Sequence, residues 1–71
     1  MKKQILLLKT SLKAMSEVEK IGRLFGKISQ IIEWNIDHED CDNVLRIECY
    51  GLTEELVAVI LRRAGIKAEK L

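Results

Sequence analysis

The sequence predicts an α+β domain in which one antiparallel sheet of four strands carries two helices on a single face. Three observations indicate this fold class. Apolar and polar residues alternate in two neighbouring segments, 32–37 and 44–49, as they do in strands buried on one side. Two other segments, 18–28 and 56–64, repeat apolar residues every three or four positions, as helices do. With an apolar strand at each end, the elements follow in the order βαββαβ.

The composition is that of one small folded domain spanning residues 1–71. Apolar residues make up 48% and charged residues 32%, and the net charge is +1, so we expect neither nucleic acid nor an anionic membrane as partner. The first ten residues contain only four consecutive apolar side chains, whereas a secretory signal needs roughly 7–15. No run approaches the ~20 apolar residues of a membrane span. We therefore expect a cytoplasmic protein.

The first strand is predicted over residues 3–10. The first helix is predicted to begin at Ser16. Ser16 and Glu19 have the spacing of a capping box, in which each side chain bonds the main-chain amide of the other residue. Gly26 is a plausible end of the helix. The buried stripe of this helix is predicted to be Val18, Ile21, Leu24, Phe25 and Ile28.

The two alternating segments are predicted to form a hairpin around the polar run 38–43, which reads as its turn. The inward side chains should be Ile32, Trp34 and Ile36 in one strand and Leu45, Ile47 and Cys49 in the other. Cys41 in the turn and Cys49 near the far end of its strand should be about 17–20 Å apart. A disulfide requires Cα atoms within about 7 Å, so we expect two free thiols in a reducing compartment.

The second helix should begin at Thr53, whose hydroxyl is a good cap, and end at Gly65. Gly51 separates it from the hairpin. A short last strand follows around Ile66 and Ala68. The inner face of this helix is predicted to consist of Leu56, Val59, Ile60 and Ala64.

Right-handed crossovers fold this order of elements into a ferredoxin-like sandwich. In that fold, the first strand–helix junction, the hairpin turn and the second helix–strand junction lie at one end of the sheet. Residues 10–17, 38–43 and 63–66 should therefore be neighbours.

Three stretches resemble, in order and spacing, the heavy-metal-associated (HMA) domains of small bacterial copper chaperone-like proteins. They are LLKTSLK, IIEWNIDHEDCDNVLRI and EELVAVILRRAGIKAE, and together they cover the chain from about Leu6 to Glu69. In that family the first strand–helix loop carries C-x-x-C, whose two thiolates bind Cu(I) or Zn(II). The corresponding positions here are Ala14 and Glu17, and neither residue is a thiol. The resemblance therefore implies a non-catalytic binding module that docks a metal-handling protein through its loop end.

A substitute metal site is the first alternative. His38 and Cys41 stand three residues apart in the predicted turn, close to Met15 and Glu17 of the junction loop. Imidazole and thiolate are ligands for copper or zinc, but a structural zinc site usually takes four good ligands. The competing interpretation is a solvated acidic hairpin tip.

Other classes of function have less support. No serine or cysteine has the base and orienting group of a nucleophilic centre, so we expect no enzyme. RNA-recognition motifs share the topology but stack bases on outward aromatic residues, which the outer face lacks. Small-ligand-sensing ACT domains also share it, but their first loop bears a glycine that is missing here.

The open face of the sheet is the remaining candidate surface. Ile5, Leu7 and Val44 should form an apolar patch there, and such patches often mark interfaces. We expect this patch, with Lys13 of the junction loop, to serve a weak homodimer or to dock a partner.

Overall fold

The elements of the computed structural model follow the predicted order. It describes residues 2–12, 14–39 and 42–71, with the main chain alone at 38, 39 and 42. The strands and helices are β1 (Gln4–Thr10), α1 (Met15–Phe25), β2 (Ile31–Glu39), β3 (Asp42–Cys49), α2 (Glu54–Arg63) and β4 (Ala68–Lys70). Within the described ranges, neither helix is long and apolar enough to cross a membrane.

The four strands form one sheet in the order β2-β3-β1-β4, and every neighbouring pair is antiparallel. Strands β1 and β3 lie in the centre, where Leu6 is opposite Ile47 and Leu8 is opposite Leu45. The α1 connection carries the chain from β1 past β3 to β2, and the α2 connection carries it from β3 past β1 to β4. The predicted α+β class and antiparallel sheet are thus confirmed.

Both helices pack on the same face of the sheet and share one core with it. Leu8, Leu45 and Ile47 contribute from the two central strands, and none of them is exposed to solvent. Ile21 and Phe25 of α1 join the same cluster as the buried residues of α2. The ring of Trp34 meets that of Phe25 edge-on, with centroids 5.7 Å apart, which fixes α1 over β2.

The inward side chains of β2 differ from the prediction at one end. Ile31 is opposite Cys49 and Glu33 is opposite Glu48, so Ile32 is an extra residue in a β-bulge. Its side chain is 53% exposed, while Ile31 packs against the core in its place. The predicted inward position of Ile32 is wrong because the bulge shifts the alternation by one residue.

The buried face of α2 also differs from the prediction. Its core residues are Val57, Ala58 and Leu61, with Ala64 partly buried beside them. Leu56 and Val59, predicted to face inward, are exposed. Residues 56–61 are six consecutive apolar residues, so they place apolar side chains on every side of the helix. Periodicity therefore does not decide which side of α2 faces the core.

The hairpin connection is shorter than the predicted turn. Main-chain pairing continues to His38 opposite Asn43 and Glu39 opposite Asp42. Cys41 lies outside the described residues, as does Asp40. Cys49 is buried and forms no disulfide, as predicted for that residue.

Candidate functional site

The β1–α1 junction is held from two sides. The Thr10 hydroxyl donates a 2.9 Å hydrogen bond to the main-chain oxygen of Asn43, and the Asn43 side-chain amide donates to the Leu12 oxygen. The Ser11 amide donates to the oxygen of Lys67, at 3.1 Å. The start of β3 therefore contacts the junction through Asn43, as predicted. The segment before β4 contacts it through Lys67, one residue beyond the predicted range 63–66.

The first turn of α1 has a different cap from the predicted one. Ala14 is the N-cap, with extended backbone angles (φ −126°, ψ 151°), and the carboxylate of Glu17 accepts a 3.2 Å hydrogen bond from its amide. Alanine has no side-chain acceptor, so the Glu17 amide donates to the Ala14 main-chain oxygen instead, at 3.1 Å. The predicted capping box at Ser16 and Glu19 is wrong by two residues, because the helix already begins at Met15.

Ala14 and Glu17 are the two positions that align with the thiolates of the HMA motif. Here they are joined to each other by the hydrogen bond that starts the helix. Met15 lies between them and is 72% exposed, the largest exposed fraction among the described large apolar residues. Lys13, predicted to take part in the interaction surface, lies outside the described residues.

Of the predicted metal ligands His38 and Cys41, the structure describes only the main chain of His38. The main chain of His38 pairs with Asn43, which places this end of β2 beside the junction. The side chain of His38 and all of Cys41 lie outside what the structure describes, so the substitute site stays a prediction. Among the described residues, no group of three or more His, Cys, Asp or Glu side chains is placed to hold a metal ion.

Cys49 is fully buried beneath the helices. Burial raises the pKa of its thiol, and the nearby charge of Glu54 raises it further, while a hydrogen bond from the Leu52 amide opposes the shift. Because the thiolate is the reactive form of cysteine, this side chain is an inert part of the core.

The open face of the sheet combines apolar side chains with a row of charges. Ile5 and Leu7 are exposed there, opposite Glu48 and Arg46. Glu48 accepts a 2.9 Å ion-pair contact from Lys3, with Arg46 at 4.0 Å from its second oxygen. The hydrogen bond from Lys3 lowers the pKa of Glu48, and the same bond raises the pKa of Lys3.

The sequence pattern does not predict the role of Asn43, because it places this residue in the hairpin turn. An asparagine at the start of a strand is a weak signal, because its partners, Thr10 and Leu12, lie more than thirty residues away in the chain. Comparisons with protein-family models, curated proteins and solved structures found no match to this chain.

Proposed function

We propose that this chain is an HMA-like binding module of ferredoxin-like fold that docks a metal-handling protein without using the family's two-cysteine site. The strand order supports the fold. Read from β4, the order is 4-1-3-2. Strand β3 lies between β1 and β2 of the first βαβ unit, and β1 lies between β3 and β4 of the second. Trp34 and the hairpin arm after it carry the resemblance to the family.

One observation carries the functional part of the proposal: the hydrogen bond between the Ala14 amide and the Glu17 carboxylate. A soft-metal site needs two thiolates at these positions, free to converge on one ion. A methyl group cannot ligate, and a carboxylate is a hard ligand that here caps a helix. In this proposal, Glu17 caps the helix at a position where the family has a metal ligand.

The partner is proposed to dock at the junction-loop end. Among its described residues, Thr10 and Leu12 are bonded to Asn43, which ties the junction to the start of β3. Exposed Met15 stands at its edge, and methionine is an adaptable contact residue at binding surfaces. The inert core position of Cys49 supports a non-catalytic role.

The second candidate is copper or zinc binding through His38 and Cys41, with Met15 or Glu17 completing the site. It is favoured by the register of β2 and β3, which sets His38 opposite Asn43, and Asn43 reaches the junction. One titration separates the two candidates.

The experiment is an amide-resolved NMR titration of the reduced protein with Cu(I) and with Zn(II), in competition with a chelator. We expect the natural chain to show no saturable shifts that survive the chelator. The double variant Ala14→Cys/Glu17→Cys should show them around residues 14–18, because the HMA-like backbone then presents two thiolates. A matched control, Ser16→Cys/Glu19→Cys, has the same spacing but both positions lie within the helix, whereas Ala14 has extended N-cap backbone angles. We expect the control to bind at least about tenfold more weakly.

Tight binding by the natural chain, abolished by His38→Ala or Cys41→Ala, would replace the proposal with the substitute site. If the folded Ala14→Cys/Glu17→Cys variant binds no better than its control, the loop does not have the geometry of the family and the resemblance is wrong.

A further inference from the structure

Helix α2 has an apolar stripe on its solvent side as well as on its core side. Leu56 and Val59 are 46% and 44% exposed, one helical turn apart, and half-buried Ile60 flanks them. A helix that is apolar all round is normally covered all round. The sheet and α1 cover only the side that bears Val57, Ala58 and Leu61. The outer stripe of α2 therefore has the composition of a surface with a partner.

The charges at the two ends of this stripe are of opposite sign. Glu55 lies in the first turn with 71% of its side chain exposed, and one of its oxygens is 3.8 Å from the Lys70 ammonium of the same chain. Arg62 and Arg63 lie exposed in the last turn. A second copy of α2 laid antiparallel along the stripe brings each Glu55 near the two arginines of its neighbour. Val59 of one copy then meets Ile60 of the other at the centre of the pair. The antiparallel arrangement also places the positive end of each helix dipole beside the negative end of the other.

We propose that two copies of this chain associate through antiparallel α2 helices, with Leu56, Val59 and Ile60 at the centre and Glu55–Arg62/Arg63 pairs at both ends. The two-fold arrangement is self-complementary, as a homodimer interface must be. This surface is separate from the junction loop, so the inference does not depend on the proposed function. A helix of ten residues is about 15 Å long, which makes the interface small, and we expect a Kd on the order of 0.1 mM.

The open face of the sheet is the competing surface, and it fits a second copy less well. Its apolar side chains, Ile5 and Leu7, stand directly opposite Glu48 and Arg46. Another sheet stacked on that face would bury the Lys3–Glu48 pair, together with Glu33 opposite Glu48. Removing such charges from water costs more than their attraction usually returns. The α2 stripe has its charges only at its ends, where they stay solvated.

The first test is sedimentation of the full chain over a concentration series up to about 1 mM, at low ionic strength. We expect a reversible monomer–dimer equilibrium that Val59→Glu weakens by about tenfold or more. The matched control is Leu7→Glu, at a side chain of similar exposure on the sheet face, which should leave the equilibrium unchanged. An amide NMR spectrum of each variant verifies that it is folded.

The second test exchanges the charges. Glu55→Arg alone and Arg62→Glu/Arg63→Glu alone should each be monomeric, because each homodimer would oppose like charges at both ends. Mixed in equal amounts, the two variants should form a one-to-one heterodimer in which every end pair is again attractive. A natural chain that stays monomeric at about 1 mM, a dimer lost in Leu7→Glu but kept in Val59→Glu, or a mixture with no heterodimer would each overturn the proposal.

Discussion

Asn43 holds the junction with its side chain and its main chain at once. The side-chain amide of Asn43 donates to the main-chain oxygen of Leu12. The main-chain oxygen of Asn43 accepts from the Thr10 hydroxyl. Leu12 is almost fully buried, so this residue is held by apolar packing and by the hydrogen bond from Asn43 together. Removing the hydrogen-bond donor of a partly buried carbonyl lowers the free energy of unfolding more than removing that of an exposed carbonyl.

We predict that Asn43→Ala destabilises the fold by about 1–2 kcal/mol, because the Leu12 oxygen then loses its donor. Urea unfolding followed by circular dichroism measures this difference. Asn35→Ala, on the exposed face of β2, is the control and should change the free energy of unfolding by less than about 0.5 kcal/mol. Equal losses in both variants would show that the Asn43 side chain does not hold the junction.

At the scale of elements, the start of α1 has only half of a capping box. The Glu17 carboxylate accepts from the Ala14 amide, but Ala14 has no side-chain oxygen to accept from the amides of the first turn. Helix α2 shows the complete side-chain cap: the Thr53 hydroxyl accepts a 3.1 Å bond from the Leu56 amide. The two helices of one small domain therefore differ in how well their first turns are satisfied.

We predict that Ala14→Ser stabilises the fold by about 1 kcal/mol, because Ala14 already has N-cap backbone angles and serine supplies the missing acceptor. Thermal or urea unfolding measures the gain. Ser16→Ala is the matched comparison: within the first turn it should change stability by less than about 0.5 kcal/mol. A loss near 1 kcal/mol in Ser16→Ala would instead place the helix start at Ser16.

At the scale of the whole molecule, the Lys3–Glu48 pair couples stability to pH. The pKa of Glu48 is lowered in the folded state, so its stabilising contribution is complete above its ordinary value of 4.5 and is lost as the pH falls through the lowered pKa. The pKa of Lys3 is raised, so its contribution is complete below its ordinary value of 10.5 and is lost as the pH rises through the raised pKa. Between those two values the pair is fully effective.

We predict that Glu48→Gln is less stable than the natural chain near neutral pH, and that the difference disappears on acidification well below 4.5. Urea unfolding at a series of pH values gives the two curves. Glu19→Gln, at an exposed position on α1, should run parallel to the natural chain throughout. If Glu48→Gln is still less stable than the natural chain at the lowest pH, the Glu48 side chain stabilises the fold by packing rather than by charge.

The order of elements and most of the core follow from the sequence, because each depends on local pattern. The alternation that buries Leu45 and Ile47 and the Thr53 cap both appear as predicted. The wrong predictions arise where the local pattern allows more than one answer. Ser16 is a better cap by residue type than Ala14, yet the helix begins at Met15, three residues after Leu12, which is packed into the core.

The candidate site was predictable only as a location. Topology places the junction loop, the end of β2 and the start of β3 together, and the main-chain pairing of His38 with Asn43 agrees with it. The chemistry at that location depends on long-range contacts, such as that between Asn43 and Leu12, which no periodicity encodes. The bond between Ala14 and Glu17 has no capping signature in the sequence, because alanine is a poor N-cap, whereas the full signature occurs two residues later, at Ser16 and Glu19.

The bulge at Ile32 has a consequence for solubility. β2 is an edge strand of nine residues, and a long regular edge invites the edge of another molecule to extend the sheet without limit, which is how fibrils grow. The extra residue interrupts the ladder at its apolar end, and Glu33 and Asp37 place carboxylates along the rest of the strand. The β2 edge is thereby protected against pairing with a strand of another copy.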